Sequence, residues 1–384
     1  MYDLIIRNGM VVDGTRAPAY QADVCIQNGR IAEITAQCGA EAKEVIDATG
    51  KVVSPGFIDI HTHSDLAPLS PFDPESKTNQ GVTFELTGNC GISPLPSTPE
   101  TRAAITKYYL SNLQYPPMDI TVNTLDEYIR QANAHRNIAN YGMLIGHSAL
   151  RGCVMGFDNR PPTPEELSAM EKRLDEELSM GAFGMSLGLI YPPSAFAETG
   201  ELDALARIVR KHNGFLAVHI RNEGPRVFES VEEMLGVAER SGVHLQISHL
   251  KIMTKSLWGH SQRLLDMIDA ARGRGIHVTC DQYPFFASST GMTALVPKWA
   301  HAGGLHPMLA RINEPEQKLR DDISREMESR GGAERVMISS THGAEPAWEG
   351  KMVSDIAVQL GQEPVDAVLT ILQRCHANVH CNYF

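Results

Sequence analysis

Residues 57–63, Phe57-Ile58-Asp59-Ile60-His61-Thr62-His63, decide how the rest of this chain is read. Alternating side chains indicate a strand, and on a strand every second residue shares a face. Phe57, Asp59, His61 and His63 then lie on one face, while Ile58 and Ile60 point the other way, toward covering helices. Two imidazoles on one face near the C-terminal end of a strand can hold a divalent ion.

Downstream of this stretch, short apolar runs alternate with helical segments. Strands are expected at 82–86, 141–145, 183–187, 215–220, 244–248 and 277–282. Strands separated by crossover helices make a parallel sheet, and this many of them suggest a barrel. One helix has an unusually clear start at Thr163-Pro164-Glu165-Glu166, which combines an N-cap, a proline at N1 and a capping-box glutamate. It is expected to run to about Met180, with Gly181 just past its end. Upstream, the first 55 residues read as short strands. Asn8-Gly9 and Asn28-Gly29 each sit between apolar runs and predict two hairpins. After Pro284 the rhythm is lost, and 285–345 reads as an insertion with a helix near 314–329 and a strand near 336–339. The expected organisation is therefore 1–55, part of a small β-sandwich; 56–284, the barrel; 285–345, an insertion or lid; and 346–384, the end of the barrel region.

Two more strands end in histidine, at His219 and His249, and Cys90 follows the second strand in Thr87-Gly88-Asn89-Cys90-Gly91. Four histidines at three strand ends converge on one mouth of a barrel, where such folds carry their chemistry. A metal-bound thiol is deprotonated, so Cys90 is able to bridge two ions. Lys251 shares a strand face with His249, which puts a cation near the metal. Asp281 faces the interior as a hydrogen-bond partner rather than a ligand.

Composition narrows the setting. At roughly 150 residues per domain, 384 residues suggest two to three units or one large α/β barrel with additions. Hydrophobic residues make up 42%, ample for a core and too many for a disordered chain. The formal charge of −12 argues against a nucleic-acid partner. No apolar run is long enough for a membrane span, and the start lacks the layout of a signal peptide. Seven cysteines with no C-x-x-C suggest a reducing, cytoplasmic setting. The oligomeric state is left open.

The motifs resemble the amidohydrolase superfamily, and within it the D-aminoacylase (N-acyl-D-amino-acid deacylase) family. The resemblance runs along nearly the whole chain. It rests on Pro55–His63, Gly88-Asn89-Cys90-Gly91, Gly188-Leu189-Ile190-Tyr191-Pro192-Pro193, His219-Ile220-Arg221-Asn222-Glu223, Ser248-His249-Leu250-Lys251 and Asp281-Gln282-Tyr283-Pro284. It implies an α/β fold, a (β/α)8 TIM-like barrel with a small β-sandwich and a late insertion. It also implies a tight zinc on Cys90, His219 and His249, and a second, weaker site on His61, His63 and Cys90. By the same resemblance Lys251 faces the substrate α-carboxylate, and Tyr191 and Tyr283 line the pocket. The implied reaction is zinc-dependent hydrolysis of N-acyl-D-amino acids, which are small-molecule substrates.

The family's general base is an aspartate at the end of the eighth barrel strand, in Ser-Asp-Gly. No such segment occurs before Phe384. The expectation is thus about seven barrel strands, no catalytic aspartate and impaired activity, with a C-terminally truncated reading of a longer enzyme favoured over a natural inactive remnant. A hydantoinase or dihydroorotase reading competes. Those enzymes bridge two metals with a carbamylated lysine on the fourth strand, and here that strand is Phe183-Gly184-Met185-Ser186-Leu187. A catalytically inactive metal-binding protein is the remaining alternative.

Overall fold

The computed structural model describes residues 1–70, 76–113, 119–135 and 137–384. They divide into two compact units, one comprising 1–58 and 76–84, the other the remaining described residues.

The N-terminal strands are β1 (Tyr2–Val11), β2 (Tyr20–Gln27), β3 (Arg30–Thr35), β4 (Ala42–Asp47) and β5 (Val52–Val53). They form one sheet of order β3-β2-β1-β4, with β5 also paired to β1. Asn28-Gly29 makes the expected hairpin between β2 and β3, both residues having positive φ (53° and 69°). Asn8-Gly9 does not. Both apolar runs around it belong to the single strand β1, and the register against β2 shifts between Ile6 and Gly9. Only Asn8 takes positive φ (61°), whereas a type I′ hairpin needs two such residues. The result is a bulge, with the Asn8 N–H donating to Asp23 Oδ1 at 2.9 Å.

A second sheet contains β6 (Phe57–Asp59), β7 (Val82–Thr87), β8 (Asn140–Gly146), β9 (Gly184–Gly188), β10 (Phe215–His219), β11 (His244–Ile247) and β12 (Val278–Cys280). Each strand is hydrogen-bonded to its neighbours in sequence, and β8 to β12 run parallel. Helices cross over between them, among them Pro164–Ser179, Thr199–Lys211, Val227–Ser241 and Ser261–Gly273. One face of the sheet is apolar, with Met185, Leu187, Leu216, Val218, Leu245 and Ile247 in register and fully buried, while the other face carries the polar Ser186, Gln246 and His219. The sheet curls. His61, just past β6, hydrogen-bonds Asp281, just past β12, so the outermost strands approach each other at their C-terminal ends. This is the expected incomplete barrel, a curled but open sheet of seven strands. Ile58 and Ile60, expected to pack toward helices, are exposed instead; among the described residues no α-helix lies between β6 and β7 to cover them.

The helix at Pro164–Ser179 begins as its sequence requires. The Glu166 N–H donates to Thr163 Oγ1 (3.2 Å), and the Thr163 N–H donates to Glu166 Oε2 (2.8 Å). Thr163→Ala is expected to lower stability by about 1 kcal/mol, read as a lower urea midpoint at unchanged slope.

The region beyond β12 has its own core. Strands β13 (Ser288–Gly291), β14 (Val336–Ser340) and β15 (His380–Tyr383) form an antiparallel sheet of order β13-β15-β14. Met292, Ile323, Ile338, Val353, Leu372 and Cys381 meet in one buried cluster. Residues read as an insertion (285–345) and as the end of the barrel (346–384) therefore pack together, with β15 as the middle strand. The expected helix and strand are present at Gln317–Ser329 and Val336–Ser340.

Candidate metal centre

The turn after β7 is built to present a thiol. Gly88, Cys90 and Gly91 all have positive φ (76°, 55° and 72°). A Cβ on Gly88 would collide with the Leu144 carbonyl oxygen, and one on Gly91 would lie 2.5 Å from the Gly188 nitrogen. Only glycine fits both the conformation and the space. Asn89 braces the turn by donating from Nδ2 to the Leu86 carbonyl (2.9 Å), and Ser186 Oγ accepts the Gly91 N–H (2.9 Å). Cys90 is thereby held, buried, at the C-terminal end of the sheet.

Four histidines gather round it. His61 and His63 lie beyond the end of β6, and His249 lies two residues past β11 with φ of 37°. Strict strand alternation thus stops before these residues, yet the turns deliver them to one place. Cys90 Sγ lies 3.4 Å from His61 Nε2 and 3.4 Å from His249 Nε2. The rings of His219 and His249 are 4.4 Å apart at their centroids, and those of His61 and His63 are 5.7 Å apart. Among the described residues two groups have ligand atoms all within 4.8 Å of one another: His61, His63 and Cys90, and Cys90, His219 and His249. All five residues singled out from sequence are brought together, with Cys90 common to both groups.

Two carboxylates orient the imidazoles. Asp281 accepts from His61 Nδ1 (3.2 Å), from the His249 N–H (2.6 Å) and from Gln246 Nε2 (2.9 Å). Glu223 accepts from His249 Nδ1 (3.0 Å) and Lys251 Nζ (2.6 Å). With each Nδ1 engaged by a carboxylate, the Nε2 atoms of both rings face Cys90. Carboxylates placed behind imidazoles in this way orient the rings of metal-binding histidines. His219 is buried beside Cys90, neither ring nitrogen making a hydrogen bond of good geometry, its Nε2 standing 3.6 Å from Glu223 Oε2. A buried polar group left in that state costs roughly 1–3 kcal/mol, a penalty that a bound cation removes. One thiolate with imidazoles is a donor set suited to zinc.

Electrostatics agree with this geometry. Burial alone would raise the Cys90 thiol, but the positive charge of the His61 and His249 rings outweighs it and holds the thiol well below its ordinary value; in turn Cys90 and Asp281 raise His61 to about 10 against the cost of burial. Burial likewise opposes ionisation of Glu223, and Lys251, His219 and His249 overcome it. Sequence alone assigns no role to Glu223 in His219-Ile220-Arg221-Asn222-Glu223. A glutamate four residues after a strand-end histidine was the available signal.

The substrate-pocket candidates lie alongside. Lys251 Nζ is 3.2 Å from His249 Nδ1 and 5.6 Å from the centroid of the Tyr283 ring. The Tyr191 ring is edge-on to His219 (centroids 5.1 Å apart), and its hydroxyl pairs with Thr290 Oγ1 (2.9 Å). Burial raises both tyrosine hydroxyls, which therefore remain protonated. Arg221 points elsewhere: it pairs with Glu233 (3.0 Å) and donates to the carbonyls of Ala195 and Ala197, tying down the loop that follows Tyr191. Asn222 Oδ1 accepts the N–H groups of Gly224 and Arg226 ahead of Val227–Ser241. No helix among the described residues is long and apolar enough to cross a membrane.

Comparison with known proteins points the same way. Residues 44–313 match the pattern described as "Amidohydrolase family". The chain is 40% identical over 300 residues to N-acyl-D-glutamate deacylase of Alcaligenes xylosoxydans xylosoxydans, covering 78% of this chain and 59% of the relative. It is 35% identical over 297 residues to D-aminoacylase of the same organism, covering 75% of this chain and 58% of the relative. The chain thus spans less than two thirds of the length of these curated relatives. A crystal structure of N-acyl-D-glutamate deacylase from Bordetella bronchiseptica, complexed with zinc and a phosphonate inhibitor that mimics the tetrahedral intermediate, is similar throughout. Its TM-score is 0.79 at 31% identity, covering 100% of this chain and 71% of that one.

Proposed function

Because this chain belongs to the amidohydrolase family, we propose that it is the metal-dependent part of an enzyme that hydrolyses N-acyl-D-amino acids to a carboxylate and a free D-amino acid. Cys90, His219 and His249 hold the tighter zinc, and His61 and His63, sharing Cys90, hold a second and weaker one. The observation that carries this reading is the convergence of carboxylate-oriented imidazoles on one buried thiol, with Lys251 beside them.

Bound zinc supplies Lewis-acid polarisation of the scissile carbonyl and activates water at neutral pH. The chain's own residues supply binding and order. Lys251 offers its ammonium to the α-carboxylate of the substrate, and Tyr283 and Tyr191 wall the pocket. Glu223 and Asp281 hold the ligand rings in one tautomer. A buried, partly dry setting strengthens each of these charge interactions. The cyclic-amide alternative gains no support, since β9 carries Ser186 and no lysine. Seven cysteines, none bridged, fit a cytoplasmic location.

The carboxylates at the site are already committed. Asp281 serves His61, the His249 amide and Gln246, and Glu223 serves His249 and Lys251. Neither is placed to take a proton from attacking water. A polypeptide of these 384 residues alone is therefore expected to bind zinc and N-acyl-D-amino acids but to turn them over slowly. General-base catalysis is worth about 10²–10⁴-fold, and that is the expected deficit in kcat against a deacylase of this family assayed in parallel. The test is calorimetry of N-acetyl-D- and N-acetyl-L-amino acids on zinc-loaded protein, with turnover measured on the same samples. Equal binding of both enantiomers, or none that depends on zinc, would refute the assignment. Ordinary turnover would refute the deficit.

A further inference from the structure

The imidazoles around Cys90 are not all held alike. His61 and His249 each have a carboxylate at Nδ1, whereas His219 Nδ1 is buried and makes no hydrogen bond of good geometry to any described residue. His219 is the last residue of β10, so the sheet fixes its backbone and only the ring needs orienting. Packing does this. The His249 ring crosses it at 77° with centroids 4.4 Å apart, and the Tyr191 ring meets it at 67° and 5.1 Å. Tyr191 sits on the loop between Gly188, the end of β9, and the helix Thr199–Lys211. Its ring can brace His219 only if that loop is rigid.

A buried polar network supplies the rigidity. Ser194 Oγ lies 2.8 Å from His147 Nδ1 and accepts the Gly188 N–H at 3.3 Å. His147 Nε2 and Arg151 Nε both reach Glu201 Oε1, at 2.8 and 3.0 Å. Arg151 also donates to the carbonyls of Pro193 (3.3 Å) and Arg160 (2.6 Å). His147 and Arg151 belong to the helix His147–Met155 that follows β8, and Glu201 belongs to the helix that follows the loop. The loop is thus tied to the elements on both sides. Between the two anchored residues, the Tyr191 N–H donates to the Gly188 carbonyl (2.8 Å) and the Ala195 N–H to the Tyr191 carbonyl (2.9 Å). Gly188 in turn packs so closely on the metal-centre turn that a Cβ there would collide with the Cys90 carbonyl oxygen. His147, Arg151 and Ser194 are fully buried, and Glu201 is 4% exposed. Replacing a buried ionic cluster by apolar residues of similar volume is often neutral or stabilising, so stability alone does not account for this one.

We propose that Ser194 and His147 are positioning residues of the metal centre: by fixing the Tyr191 loop they hold the His219 ring at the angle at which it binds zinc. They do for His219 what Asp281 and Glu223 do for His61 and His249. The proposal rests on the zinc assignment above. Its test is a zinc titration of metal-free protein against a chromophoric chelator, with cobalt(II) spectra of the same samples. Groups that orient a ligand imidazole are worth about 10- to 100-fold in metal affinity, and Ser194→Ala, acting at one remove, is expected to weaken zinc about tenfold. It should also shift the d–d bands of the cobalt protein. His147→Phe keeps a ring but neither nitrogen and should do the same; should it not fold, Ser194→Ala carries the comparison alone. Tyr191→Ala should show a loss of like size, and Ser194→Ala should add nothing in that background, since residues that act through one another are not additive. Fully additive losses would overturn the proposal. So would wild-type zinc affinity and a wild-type cobalt spectrum in Ser194→Ala; a purely structural network would give that result and lower only the urea midpoint of metal-free protein. If the wild-type protein binds neither zinc nor cobalt, the zinc assignment falls and this inference with it.

Discussion

Cys90→Ala is expected to leave the purified protein essentially without bound zinc. Its Sγ is the one atom common to both ligand groups, so its loss reduces each to imidazoles alone. The change also removes the negative charge that the surrounding rings are arranged to face. No other cysteine is among the candidate ligands, so no thiol is placed to substitute. Cys90→Ser is a sharper comparison, because it keeps the shape and discards the soft, readily ionised donor. Metal content after dialysis gives the first readout. The second is stability, since a ligand that binds only the folded state at one hundred times its Kd adds about 2.7 kcal/mol. Wild-type protein should gain thermal stability on zinc addition and Cys90→Ala should not. A variant that kept both its zinc and its zinc-dependent melting shift would show that the sulfur is not a ligand.

Glu223 should produce the next largest effect, and by two separable routes. Glu223→Gln retains the shape but weakens the anchor on His249 Nδ1. Losing a carboxylate that holds a ligand imidazole typically costs about 10- to 100-fold in metal affinity. Glu223→Leu does more. Glu223 and Lys251 form a close pair, their side chains only 5% and 15% exposed. Removing one member of such a pair strands the other charge, at a cost of about 3–5 kcal/mol. The double variant Glu223→Leu/Lys251→Met removes both charges and should recover much of that stability without recovering zinc affinity. Urea unfolding of metal-free protein separates the two routes. If Glu223→Leu unfolds at the wild-type midpoint, the pair has no structural weight.

The barrel strands were legible because from β7 to β12 apolar runs alternate with crossover helices, a local signal that tertiary context does not reverse. Their expected bounds agree with β6 to β12 to within about two residues at most ends. The metal residues were legible as strand-end histidines, although the alternation argument for them was incomplete. The strands stop at Asp59 and Ile247, and turns carry His61, His63 and His249 the rest of the way. Asn8-Gly9 misled because the dipeptide specifies willingness to adopt positive φ, while its neighbours decide how many residues use it. The shared core of 285–384 was hidden for another reason. Pairing Ser288–Gly291 with His380–Tyr383 is a contact across some ninety residues, and no local pattern announces it. Asp281 was legible as an interior hydrogen-bond partner, whereas Glu223 looks like an ordinary acid in sequence; the 3.2 Å and 3.0 Å contacts with His61 and His249 show which rings the two serve.

The bridging position of Cys90 has a thermodynamic consequence. Two ions seated on these groups would have to divide one thiolate, so the charge donated to the first is no longer fully available to the second. Occupancy of either group then lowers the affinity of the other, and linkage requires that the penalty be the same in both directions. A zinc titration should accordingly fill in two separated steps, and the interval between those steps measures how much of the sulfur's electron density the first ion has claimed.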